Sequence, residues 1–174
     1  MIKTMFLFAV LIALSAALPA QEVPSPYVGQ QHRSIKTMSA EEIQGYLRGD
    51  GMGFAKVAEL NHYPGPKHVL ELADALGLTD QQRSQTEYEY KKMHYEAVYH
   101  GEQLVEKERR LDEMFTQQNA REKQASILIT EIAEHRGKIR AAHIKGHIAM
   151  KNLLTPEQVA AYDRLRGYSG DTRY

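Results

Sequence analysis

The phrase Leu-Thr-x-x-Gln occurs twice, as Leu78-Thr79-Asp80-Gln81-Gln82 and as Leu154-Thr155-Pro156-Glu157-Gln158. Each copy marks a helix start: the threonine oxygen accepts an early amide hydrogen, and the glutamine three residues on reaches back to the cap. In the second copy Pro156 takes the first helical position, where a missing amide hydrogen costs nothing. Leu154 ahead of that cap is placed to pack on Val159 as a hydrophobic staple. The first copy has Arg83 at the corresponding position. Two fixed helix starts, separated by a long polar segment with helical periodicity, direct the chain toward a helical hairpin.

The apolar stripes give the hairpin its register. The first helix is expected from Asp80 to about Phe115, with Thr86, Tyr90, Met93, Ala97, Gly101, Leu104, Glu108, Leu111 and Phe115 recurring in steps of four and three. Thr116 to Asn119 makes the turn. The second helix should run from about Ala120 to Leu153 on a stripe of Ala125, Leu128, Ile132, His135, Ile139, Ala142, Gly146, Ala149 and Leu153. Helices of this size are about 50 Å long, and seams this narrow need short helices or a second subunit laid against them.

The short helices lie upstream. Ser39-Ala40-Glu41-Glu42 is a third capping box, opening a helix through Leu47. Gly49-Asp50-Gly51-Met52-Gly53 breaks it. No strand precedes that cluster and no Gly-Lys-Ser/Thr follows, so it does not fit a phosphate loop. Phe54 to Leu60 resumes a helical pattern, and Tyr63 to Pro66 is a turn. His68 to Leu76 is amphipathic and stops at Gly77. The fold class expected is all-α, a long antiparallel hairpin with short flanking helices.

Residues 1–20 have the layout of a secretory signal: a lysine, the apolar run Met5 to Leu14, then small residues. That run is short for a membrane span, which needs about 20 residues, so membrane attachment is expected only if this segment stays uncleaved. Residues 21–38 read as an extended lead-in, 39–168 as the helical domain and 169–174 as a tail. The chain has no cysteine, which removes disulfides and thiolate metal sites from an exported protein. Lysine plus arginine equals aspartate plus glutamate at 22 each, so the basic field expected of a nucleic-acid binder is missing. No paired nucleophile and base, glycine loop in context or cofactor signature points to an enzyme.

A polar helical hairpin flanked by two Leu-Thr-x-x-Gln motifs, in an exported chain without cysteine, resembles the Spy/CpxP group. The residues that carry the likeness are Leu78, Thr79, Gln82, Leu154, Thr155 and Gln158, and it extends over roughly Leu70 to Tyr168. The broader set includes periplasmic heavy-metal sensors of the CnrX type. The resemblance implies a curved four-helix protomer, usually a homodimer, that acts in the periplasm as an ATP-independent chaperone for unfolded or partly folded envelope proteins. In the metal branch it implies a sensor for nickel, cobalt or zinc. The chain departs from Spy in being neutral rather than basic, and in a longer, glycine-rich segment from Gly49 to Pro66.

Histidines supply the alternative. His143 and His147 stand one helical turn apart, with Met150 continuing their face, and histidines at this spacing can share a metal ion. Ile144 stands where a metalloprotease would need its glutamate. With the turn centred near Asn119, His143 should face Met93 and His94, and His147 should face Glu89 and Tyr90. The candidate ligands for zinc, nickel, cobalt or copper are therefore His143, His147, His94 and Glu89. His135 should face Gly101, with His100 and Glu102 beside it, as a second patch. Glu108 interrupts the first stripe and reads either as a carboxylate paired across the hairpin or as a point where the seam opens, the alternative being a ligand or client-binding carboxylate. Tyr88, Tyr90, Tyr95 and Tyr99 read as an adaptable contact surface or a dimer interface.

Overall fold

A computed structural model of the chain describes residues 23–168. The expected signal segment at 1–20 and the tail at 169–174 lie outside the described residues. The chain is all-α, with no strand among the described residues. Its helices are α1 (Ala40–Leu47), α2 (Lys56–Glu59), α3 (Pro66–Glu71), α4 (Asp80–Thr116), α5 (Glu122–Leu153) and α6 (Pro156–Leu165). Helices α4 and α5 form the expected hairpin, and the shorter helices dock on it. The short elements divide more finely than the four-helix expectation.

Three helices start on the capping boxes read from the sequence. Ser39, Thr79 and Thr155 each accept the amide of the third helical residue, and Glu42, Gln82 and Gln158 each return a bond to the cap amide. Each cap contributes about 1 kcal/mol. Helix α1 ends in a Schellman turn, with the Asp50 amide donating to the Gly45 carbonyl and the Gly49 amide to that of Tyr46. That turn requires the left-handed φ of 63° at Gly49.

Two boundaries differ from the expected ones. Pro66 opens α3 rather than closing a turn, because proline suits a first helical position. The same helix loosens after Glu71: Ala73 bonds back to Leu70 and Gly77 to Asp74, the three-residue spacing of tight turns. This irregular stretch still turns Ala73 and Leu76 into the core.

Residues 23–38 are not a plain extended lead-in. They contain a short 3-10 turn at Gln30–His32, and Ile35 and Met38 are buried. The Lys36 amide and ammonium both bind Asp112, at 3.1 and 3.0 Å. Glu108 belongs to the same strap: it accepts a 3.0 Å bond from the Thr37 hydroxyl, not one from α5. An N-terminal segment without helical period thus covers part of the seam that the hairpin leaves open.

The core has two centres. Ile35, Met38, Tyr46, Leu104 and Ile139 pack in mid-hairpin. Val69, Leu76, Met150, Leu154, Val159 and Tyr162 pack at its base. Leu154 and Val159 share that basal cluster, as the expected staple requires. Gly101 accounts for the gap in the α4 stripe: a Cβ there would overlap the Tyr46 carbonyl of α1. It is a docking point for α1, not a contact with α5.

Candidate functional site

The repeated motif has a role that capping alone does not capture. Gln82 Nε2 donates to Gln158 Oε1 at 2.8 Å, and Gln158 Nε2 donates back to Gln82 Oε1 at 3.1 Å. The two amides form a closed pair. Each nitrogen's second hydrogen goes to a carbonyl at the opposite helix junction, Leu153 for Gln82 (3.2 Å) and Leu76 for Gln158 (3.3 Å). Each oxygen also accepts its own cap amide, from Thr79 and from Thr155. Both side chains are fully used, and the base of the hairpin is locked there. Glutamate would cap equally well but has no hydrogen to donate across.

Between the two core centres lies a trough lined by histidines. His143 and His147 on α5 are buried, at 4 % and 9 % exposure. They line a cavity of about 790 Å³ together with His94, Tyr90 and Met93 of α4, His68 of α3 and the Arg48–Gly51 loop. A neighbouring cavity of about 330 Å³ shares His68, His143, His147 and Gly51 as its wall, and adds Lys56, Glu59, Arg166 and Tyr168. The Gly49 to Pro66 segment therefore supplies much of this site.

That segment sets the state of each imidazole. Phe54 stacks on His143, with ring planes 4° apart and centroids at 6.1 Å. The Nε2 of His143 is buried without a hydrogen-bond partner among the described residues. Burial first, then the neighbouring His147 and His94, push its pKa down to about 4, so the ring is neutral at pH 7. His147 Nδ1 lies 2.7 Å from the Tyr63 carbonyl. A carbonyl only accepts, so Nδ1 carries a proton and donates it to Tyr63. Gly65 packs directly on this ring, where a Cβ would come within 3.0 Å. By the same reasoning His94 donates from Nε2 to the Arg48 carbonyl at 3.0 Å.

A carboxylate network backs the trough. Glu59 accepts from the hydroxyls of Tyr162 (2.7 Å) and Tyr168 (3.1 Å). Its Oε2 lies 3.6 Å from His147 Nδ1. Burial, then the bond to Glu59, raises the Tyr162 pKa, and its oxygen also accepts the Gly65 amide at 3.3 Å. Nearby, His62 holds the buried Asp163 at 2.8 Å. Sequence reasoning missed Phe54, Glu59, Tyr162 and Asp163. Their partners lie in distant segments, Glu59 and Tyr162 being 103 residues apart, and no short motif marks them.

The four candidate ligands separate into two groups. His94, His143 and His147 line one cavity. Glu89 lies instead on a groove formed by α4 and α5, with Lys92, Glu96 and Lys145, and accepts from Gln85. His147 turns toward Tyr63 rather than Glu89, because its position on α5 faces the short helices while Ala142 and Gly146 face α4. Among the described residues no group of three or more histidine, aspartate or glutamate side chains is placed to hold a metal ion. The second patch does form: the His100 and His135 Nδ1 atoms are 3.1 Å apart.

No family model, curated protein or solved structure matches the chain.

Proposed function

We propose that this chain is an exported, ATP-independent binding protein that holds non-native segments of other envelope proteins on its hairpin, in the manner the Spy/CpxP resemblance implies. The observation that carries this reading is the apolar surface left open on α4 and α5. Tyr88, Tyr95 and Tyr99 recur at intervals of seven and four, which places them along one side of α4, and Tyr95 is 75 % exposed. Phe115, Ile127 and Ile129 stand exposed around the hairpin tip. Charged residues of both signs are interspersed with these positions. Such a surface gives weak contacts spread over a large area, which suits reversible capture of unfolded chain. The alternative use of the same tyrosines is a homodimer contact.

The test is aggregation of a chemically denatured protein at equimolar ratio, followed by light scattering, with sedimentation of the chain in parallel. Suppression that falls severalfold in a Tyr88→Ser/Tyr95→Ser/Tyr99→Ser variant supports the reading. A monomer that leaves aggregation unchanged removes it.

A second reading rests on the trough. His143 presents a buried, unpartnered Nε2, and His147 one turn away has Nδ1 committed to the Tyr63 carbonyl, which leaves Nε2 as its ligand atom. Two imidazoles fixed by their surroundings are a start for a zinc, nickel, cobalt or copper site. Micromolar binding lost in His143→Gln would favour this reading over the first.

A further inference from the structure

The back of the hairpin holds a second histidine arrangement that neither reading uses. His100 of α4 and His135 of α5 meet across the helix interface, with Nδ1 atoms 3.1 Å apart and ring centroids 5.2 Å apart. Both side chains are half-buried. Two neutral imidazoles satisfy this contact by sharing one proton, so only one of the two nitrogens can carry hydrogen. The separation also fits a metal. Two nitrogens bound at about 2.0–2.1 Å stand about 3.3–3.4 Å apart in a tetrahedral site and about 2.8–3.0 Å apart in an octahedral one. The observed spacing falls between these, corresponding to an angle of about 98° at the ion.

We propose that His100 and His135 form a two-histidine clip for a divalent transition-metal ion, joining α4 to α5 through their Nδ1 atoms. Water or an outside ligand fills the remaining positions, since no third histidine or carboxylate among the described residues completes the set. Binding needs no proton release at neutral pH: the ring that carried the shared proton moves it to Nε2, and both Nδ1 lone pairs face the ion. Lys107 is tied to Glu131 at 2.9 Å, while Lys138 outweighs Glu96 at His100 and Glu134 at His135, so the ion has to enter a slightly positive field. The Tyr99 ring meets His100 edge-on at 4.9 Å. A loaded clip therefore stiffens the hairpin beside the exposed tyrosines.

The experiment is calorimetric titration of the protein with zinc chloride at pH 7.5 in a non-coordinating buffer, repeated with His100→Gln, His135→Gln and a His143→Gln/His147→Gln variant. One ion bound with micromolar affinity is expected, weakened at least tenfold by either single change at the clip and unaffected by the double change in the trough. Zinc should also raise the melting temperature of the wild type and leave both clip variants unmoved. The clip residues are half-exposed, so circular dichroism is expected to show the variants folded. Wild-type affinity in His100→Gln and His135→Gln, or no binding by the wild type, overturns the proposal. Loss confined to the trough variant overturns it too, and assigns the ion to the second reading.

Discussion

Replacing Gln82 by alanine removes more than a cap. The side chain accepts the Thr79 amide, donates to the Leu153 carbonyl, and exchanges two bonds with Gln158. A partly buried hydrogen bond contributes about 0.5–1.5 kcal/mol net, so Gln82→Ala, which removes four, should cost about 2–6 kcal/mol. Gln158→Ala removes an equivalent set, with Thr155 and Leu76 in place of Thr79 and Leu153, and should cost about the same. The reciprocal bonds belong to both residues and are lost only once in the double variant. The double change should therefore cost about 1–3 kcal/mol less than the sum of the single ones. Urea unfolding followed by circular dichroism at 222 nm measures all three, with the denaturant slope held as a check on two-state behaviour. Additivity within about 0.5 kcal/mol would show that the amides do not act as a pair. Gln82→Glu sharpens the test, because it keeps the cap but faces a carboxylate to Gln158 Oε1 and the Leu153 carbonyl. It should be less stable than the wild type at neutral pH although the cap is kept, and the deficit should shrink as the pH falls far enough to protonate the new carboxyl and restore a donor.

Gly101→Ala should force α1 off the hairpin, since the new methyl would overlap the Tyr46 carbonyl. A loss of about 1–3 kcal/mol is expected in the same unfolding assay, and a neutral result would mean that α1 is not docked there. His143 gives a pH dependence. Its folded pKa of about 4 lies below the ordinary 6.5, so the unfolded chain binds the extra proton first. Its contribution is level above pH 6.5 and is lost as the pH falls toward 4, up to about 3 kcal/mol at 1.36 kcal/mol per unit. His143→Phe should flatten the stability profile in that window, and an unchanged slope would refute the assignment. Tyr162→Phe strips the Glu59 carboxylate of its 2.7 Å donor and should cost about 1–3 kcal/mol. Stability equal to the wild type would show that the network behind the trough carries no weight.

The hairpin and its register were legible because they rest on local signals. Three capping boxes fix three helix starts, and Thr86, Met93, Ala97, Gly101 and Leu104, all buried, were all on the expected α4 stripe. Pairing from a single turn centre brought His135 to His100. The same procedure placed His147 opposite Glu89, and there it failed. A stripe drawn with one residue per step describes a helix with one partner. Helix α5 has two partners over its last turns, α4 on one side and the short helices on the other. His143, His147 and Met150 belong to the second face, which no two-helix construction contains. The same construction also leaves out the partners of Glu108 and Gly101, which are Thr37 and the Tyr46 carbonyl in the N-terminal part of the chain.

The position of the trough follows from how this chain solves its packing problem. A seam of alanine, glycine and threonine lets α4 and α5 approach closely but supplies little apolar area. The large apolar side chains gather at two centres on either side of it. The stretch between them is bridged by the Gly49–Pro66 segment, whose glycines and short helices follow the hairpin without filling every gap. Polar side chains buried in such a place must be held by partners. His147 has the Tyr63 carbonyl and His94 the Arg48 carbonyl, whereas His143 has the Phe54 ring against its face and no partner for Nε2. Burial of an unpaired imidazole nitrogen costs stability of about 1–3 kcal/mol. A chain with a core this thin has little stability to spare, so His143 is where a bound ligand would return the most to the fold. The expected signature is a melting temperature that rises with a trough ligand in the wild type and stays fixed in His143→Phe, which removes the nitrogen but keeps the ring stacked on Phe54.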